Sequence, residues 1–270
     1  MIRALSQDRG FALVTGASSG IGAAFARALA SRGERLILVA RRADRLASLA
    51  QELGGEGRAM TISLDLAARD AGVRLEREVG ERGLTVDLLV NNAGVGDTGR
   101  FHERPLDRAL EMIDLNSRAM VELTRRFLPP MLERRCGTII NVVSTSAFQP
   151  VPFLTVYAAS KAFALSFTEG LATELEGTGV HVQALCPGLT ATEFQQTAHT
   201  DAVRFNRTPA MTADEVVRES LRALDRGRLV VVTGLRNRLT LAAQGLVPRG
   251  LVRRVAADLF RPAGDEKLKD

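Results

Sequence analysis

Tyr157 is the only tyrosine in the 270-residue chain, and Lys161, four positions later, is the only lysine before Lys267 and Lys269 near the C-terminus. Residues four apart on a helix share a face, so a phenol and an ammonium would stand together. A neighbouring cation favours the phenolate and is expected to draw the phenol down from about 10 towards neutrality. Read this way, the pair is a proton-transfer device. An arginine fork would not replace a compact ammonium there, although arginine carries almost all other positive charge in the chain. Taken alone, the pair also fits a tyrosine laid over a lysine stem on a surface helix.

Other residues separate these alternatives. Thr15-Gly16-Ala17-Ser18-Ser19-Gly20-Ile21-Gly22 follows a short apolar run and opens a helical pattern. Glycines there permit a tight turn and a close backbone approach to a pyrophosphate resting on the helix N-terminus. Further along stand Asn91-Asn92-Ala93-Gly94, then Asn116, then Ser144 thirteen residues before Tyr157, then Pro187-Gly188. Singly, Asn116 reads as a backbone-bonding asparagine, Ser144 as one hydroxyl in a serine-rich loop and Gly188 as a turn.

In this order and spacing, over roughly residues 12–233, the motifs resemble those of the short-chain dehydrogenase/reductase family. The resemblance implies hydride transfer between a nicotinamide and a carbonyl carbon, with Tyr157 as acid/base and Ser144 holding the carbonyl oxygen. It implies that Lys161 bonds the nicotinamide ribose, and that the Asn116 backbone carbonyl holds a water leading from Lys161 to solvent. The catalytic set is thus Asn116, Ser144, Tyr157 and Lys161. The implied cofactor set is Gly16, Ser18, Ser19, Gly20, Ile21, Gly22, Arg41, Arg42, Asp65, Leu66, Asn92, Ala93, Gly94, Tyr157, Lys161, Pro187, Gly188, Thr190 and Thr192. Where NAD-using members carry an aspartate after the second strand, this chain has Ala40 followed by Arg41 and Arg42. A guanidinium forks onto a 2′-phosphate that a carboxylate would repel, so NADP(H) is expected over NAD(H), with Arg41 as the ligand whose loss should weaken NADPH far more than NADH and Ser18 as a second phosphate ligand. Asp65 is expected to bond the adenine amino group.

The elements that must position these residues follow from hydropathy. Short apolar runs at 11–15, 35–40, 58–64, 86–91, 138–143, 180–185 and 229–233 predict strands, and 21–31, 43–53, 67–82, 106–134, 156–176 and 213–226 predict helices. Continuous apolar strands suit a sheet covered on both faces, so a doubly wound α/β Rossmann-type domain with a seven-stranded parallel sheet is expected over 1–234. Polar residues 189–211 read as a substrate lid. Residues 235–270 read as an appended amphipathic helix pair with a polar tail, packed on the body or on a second subunit rather than lying on a membrane surface. Val95, Gly96, Phe148, Val151, Phe153, Leu189 and Phe194 are expected to wall an apolar substrate pocket, suited to a ketone, aldehyde or acyl chain.

Composition limits the remaining classes. The +5 net charge is interleaved with acids and no aromatic platform accompanies it, which argues against nucleic acid. No run of eighteen apolar residues and no apolar signal core occurs, so a cytoplasmic protein is expected. His102, His181 and His199 are scattered and Cys136 and Cys186 fall at opposite ends of neighbouring strands, so neither a metal nor a disulfide is expected. Two alternatives remain beside a carbonyl reductase: a 3-oxoacyl-carrier-protein reductase, and a non-catalytic NADP(H)-binding sensor or scaffold. A homodimer or homotetramer through helices 106–134 and 156–176 is implied by the resemblance.

Overall fold

The computed structural model describes residues 10–200 and 203–262; positions 1–9 of the expected domain, 201–202 of the lid and the tail 263–270, with Lys267 and Lys269, lie outside the described residues. The chain alternates β1 (Phe11–Thr15), α1 (Gly20–Ser31), β2 (Arg35–Ala40), α2 (Ala43–Glu52), β3 (Ala59–Ser63), α3 (Ala71–Glu81) and β4 (Val86–Asn91). It continues with α4 (Leu106–Ile113), α5 (Ala119–Glu133), β5 (Gly137–Val142), α6 (Thr155–Glu174) and β6 (Val180–Cys186). After a two-residue β7 (Thr190–Ala191) and a one-turn α7 (Phe194–Thr197) come β8 (Met211–Thr212), α8 (Ala213–Leu224), β9 (Val230–Val232), α9 (Leu235–Gln244) and α10 (Arg249–Phe260).

Seven strands pair in parallel in the order β3-β2-β1-β4-β5-β6-β9, a doubly wound Rossmann-type sheet whose strand ends fall within one residue of the sequence expectation. Successive residues of each strand enter opposite cores, as a pleated sheet buried on both faces requires. Leu13, Ile37, Val39 and Ile139 pack beneath α3, α5 and α6 with Leu75, Leu123 and Met131. Ala12, Val14, Leu36, Leu38 and Ile140 pack beneath α1, α2 and α8 with Phe25, Leu46 and Val217.

Two helices differ from expectation. The stretch 106–134 is not one regular helix, because residues Asp114–Arg118 between α4 and α5 open into a π turn. The chain from 67 to 70 is a turn, in which the Ala67 amide donates to the Asp65 carboxylate at 3.0 Å, and α3 begins only at Ala71. Across 189–211, β7 pairs with β8 in parallel. No helix among the described residues is long and apolar enough to cross a membrane, and among them no group of three or more His, Cys, Asp or Glu side chains is placed to hold a metal ion. Cys136 and Cys186 are both free thiols.

Leu38 is fully buried between β1 and β3. Leu38→Ala is expected to cost about 2–5 kcal/mol through lost transfer energy and a residual cavity, read as a lower urea midpoint at unchanged slope.

Candidate active site

The strand order reverses between β1 and β4, and loops that diverge there leave a crevice at the carboxyl ends of the strands. A cleft of about 410 Å³ occupies that place. Its walls come from the turn after β1 (Gly16, Ser18, Ser19, Gly20, Ile21), the ends of β2 and β3 (Arg41, Arg42, Asp65, Leu66) and the segment after β4 (Asn92, Ala93, Gly94). Ser144, Tyr157, Lys161, Pro187, Gly188, Thr190 and Thr192 complete it. Gly22 and Asn116 do not line it; they stand behind its wall.

The turn after β1 is shaped by its glycines. Gly16 (φ +63°) and Gly20 (φ +54°) lie in the left-handed region. At Gly22 the constraint is closeness: a Cβ there would fall 2.3 Å from the Gly16 carbonyl oxygen. The Thr15 hydroxyl accepts from the amides of Asn92 (2.9 Å) and Ala93 (3.0 Å), and Asn92 Nδ2 donates to Thr15 O at 2.8 Å. These bonds lock the β1 and β4 turns together. Ser19, the N-cap of α1, makes no side-chain cap, so the first turn of that helix offers amide donors towards the cleft.

At the inner end, Tyr157 and Lys161 project from α6 and are both buried, at 8% and 5% exposure. Lys161 Nζ donates to the Val142 carbonyl at the end of β5 (2.8 Å) and stands 5.7 Å from the centre of the Tyr157 ring. Burial pushes the Tyr157 phenol up to about 12, against a hydrogen bond from Ser144 that works in the other direction. Burial likewise pushes the Lys161 ammonium down to about 8. This corrects the expectation that the lysine draws the phenol towards neutrality: desolvation is the largest influence on both groups. Ser144 Oγ accepts from the Ser146 amide at 3.1 Å, which leaves its one proton for the hydrogen bond to Tyr157 at the inner end of the cleft.

Asn116 sits in the π turn. Its side chain bonds the Val95 backbone at both ends, Val95 N donating to Oδ1 and Nδ2 donating to Val95 O, each at 2.9 Å, and Nδ2 also reaches Ser160 Oγ at 3.0 Å. The widened turn aims the carboxamide across to α6 and the segment after β4. Behind Lys161 a small cavity of about 10 Å³, bordered by Asn91, Asn116 and Lys161, is the size of a single water site.

At the outer end, Arg42 and Arg41 diverge. The Arg42 guanidinium donates to Ser18 Oγ (3.2 and 3.0 Å) and Ser19 Oγ (2.8 Å). Arg41 turns the other way, to Glu111 (3.4 Å) and Asp65 (3.9 Å). Sequence reasoning missed Glu193, whose carboxylate bridges Arg42 (2.9 Å) and Arg45.

The lid is clasped elsewhere by Asp97, a buried carboxylate that accepts from Arg104 Nε (2.7 Å) and meets His199 Nδ1 at 3.0 Å. Burial favours its acid form, yet Arg104 and His199 hold it below the ordinary carboxylate range. Of the expected substrate wall, Val95, Leu189 and Phe194 line the cleft, whereas Gly96, Phe148, Val151 and Phe153 do not. Val151 is core, Phe148 faces solvent, Gly96 lies under the Phe194 ring and Phe153 (φ +66°) carries Arg261 over its face. Their places are taken by Leu115, Leu154, Phe205 and Phe260, with Phe260 reaching in from α10 and stacking on Phe205 at 4.7 Å. The i, i+4 pattern of α10 gave no sign that its last residue enters the site.

Known proteins share this sequence family and fold. The family model for short chain dehydrogenases matches residues 10–203. A short chain dehydrogenase of Pseudocercospora fijiensis is 43% identical over 186 residues, which are 68% of this chain and 60% of that protein's length. The structure of a short-chain dehydrogenase from Sphingobium yanoikuyae in complex with NADPH superposes with a TM-score of 0.77 at 33% identity, covering 88% of this chain and 95% of that one. A bulky-bulky ketone specific alcohol dehydrogenase from Comamonas testosteroni superposes with a TM-score of 0.73 at 33% identity, covering 89% and 94%.

The buried ammonium makes a pH-dependent prediction. Lys161 has a folded pKa of about 8 against an ordinary 10.5, so its burial penalty is full below pH 8 and is relieved as pH rises to 10.5. Lys161→Met should therefore be more stable than wild type at pH 7, by up to roughly 3 kcal/mol, with the gap narrowing between pH 8 and 10 in denaturant titrations.

Proposed function

Because the chain belongs to the short chain dehydrogenase family, we propose that it is an NADP(H)-dependent oxidoreductase interconverting an apolar ketone or aldehyde with its alcohol. The observation that carries this reading is one cleft with Ser144, Tyr157 and Lys161 at its inner end and an arginine-serine cluster at the other.

The turns that would carry a dinucleotide are held in shape by packing against each other: a Cβ at Gly16 would meet Asn92 and one at Gly94 would come 3.0 Å from Asn116 Oδ1, so both positions call for glycine. Gly16 to Ile21 and the N-terminus of α1 would hold the pyrophosphate, Asp65 and Leu66 the adenine, and Asn92 to Gly94 with Pro187, Gly188, Thr190 and Thr192 the nicotinamide half. The 2′-phosphate ligands are Arg42 and Ser18, with Arg41 beside the adenine. Bound there, the nicotinamide supplies or accepts the hydride.

Tyr157 then moves the proton. In reduction its O–H passes a proton to the carbonyl oxygen, and in oxidation its oxygen takes the alcohol proton back. A phenol held neutral by burial is suited to the donor role. The Ser144 hydroxyl, its lone pair engaged by Ser146, directs a hydrogen bond at the same oxygen. Lys161 holds the ribose and returns protons to Tyr157, and Asn116 fixes the segment after β4 against α6. Leu154, Leu189, Phe194, Phe205 and Phe260 give the substrate an apolar, aromatic enclosure, and the likeness to an enzyme for bulky ketones supports a large substrate. The stacked pair Phe163–Phe167 on α6, with Phe163 exposed, supports assembly into a homo-oligomer through that helix.

Tyr157→Phe is expected to lower turnover by about 10²–10⁴-fold while leaving the NADPH Kd within about twofold, by stopped-flow and fluorescence titration. Arg42→Ala should weaken NADPH at least about tenfold more than NADH, and equal losses would contradict the phosphate role.

A further inference from the structure

At the mouth of the cleft an anion supplied by the chain already sits on two arginines, one of which is held in place by two serines. Glu193, the residue that caps α7 in the lid, places one carboxylate oxygen on Arg42 and the other on Arg45, while the same Arg42 guanidinium holds Ser18 and Ser19. Arg42 is the N-cap of α2 and Arg45 lies in that helix's first turn, so the bridge ties the lid to the far end of the cleft. Glu193 is drawn well into its charged form, first by the hydrogen bonds from Arg42 and Arg45. The next residue in the chain, Phe194, packs its ring 5.3 Å from that of Tyr157.

We propose that the Glu193 carboxylate stands in for the 2′-phosphate, competing with it for Arg42 and Arg45, and so sets both cofactor selectivity and the anchoring of the lid. The inference rests on the NADP(H) reading above. A carboxylate and a phosphate cannot share one guanidinium fork without bringing like charges together, so a dinucleotide bearing the 2′-phosphate must displace Glu193, whereas one lacking it leaves the bridge intact. Selectivity for NADPH is then smaller than the arginines alone would give, because a built-in anion opposes it. Displacement also releases the only charged side chain between β7 and α7 from α2, and with it the Phe194 ring that covers Tyr157.

The test is calorimetric titration of the full chain with 2′,5′-ADP and with 5′-ADP, ligands that report the phosphate subsite without turnover. Glu193→Gln keeps the size of the side chain and removes its charge. It should tighten 2′,5′-ADP about tenfold and leave 5′-ADP unchanged, and the gain should vanish in an Arg42→Ala background. Unchanged or weaker 2′,5′-ADP binding by Glu193→Gln, in a wild type that prefers 2′,5′-ADP over 5′-ADP, overturns the competition and makes Glu193 a support for Arg42. A wild type that binds the two nucleotides alike overturns the NADP(H) reading itself, and the inference with it.

Discussion

An ammonium in a protein interior is costly unless something holds it, and Lys161 is held by the last carbonyl of β5. That bond requires β5 to end at Val142, at the same level as the ends of β1 and β4, and requires α6 to cross so that its first turns face the crevice. Tyr157, one turn earlier, then falls beside Ser144 on the segment leaving β5. The parallel sheet is thus the device that brings an acid, a hydroxyl and a cation to one point. Its two cores of interdigitated aliphatic side chains keep that point rigid. The buried pair runs against stability, and the sheet offsets it.

Water exclusion at this point comes from chain segments remote in sequence. The segment 189–211 is tied down twice, by Glu193 to α2 and by His199 to the Asp97–Arg104 pair ahead of α4. The C-terminal helix joins in through Phe260, stacked on Phe205. Residues after the sheet therefore shape the apolar end of the cleft, and the extension beyond β9 is part of its wall.

Much of this was legible in the sequence because strands and glycine turns obey local rules. Alternating apolar runs placed all seven strands of the sheet, and the spacing of Gly16, Gly20 and Gly22 between strand and helix marked the turn that lines the cleft. The π turn at Asn116 was not legible, because the contact that accompanies it, the Asn116 side chain on the Val95 backbone, joins residues distant in sequence. The direction of the Tyr157 shift was misjudged for a similar reason: spacing shows a cation nearby, but only packing shows how much water has been removed from both groups. Phe260 and Glu193 were missed because a helix terminus and a lid acquire their meaning from what they fold against. Arg41 and Arg42, adjacent in sequence, point to different partners, and composition gives no means of separating them.

The measurement closest to the centre of this account is a pH titration of tyrosinate absorbance in the folded protein. With one tyrosine and no tryptophan, the signal belongs to Tyr157 alone. A phenol kept neutral by desolvation predicts a midpoint near 12 in the folded chain, against about 10 once denaturant exposes it. A folded-state midpoint at or below 10 would contradict the claim that burial, rather than the charge of Lys161, governs the acid.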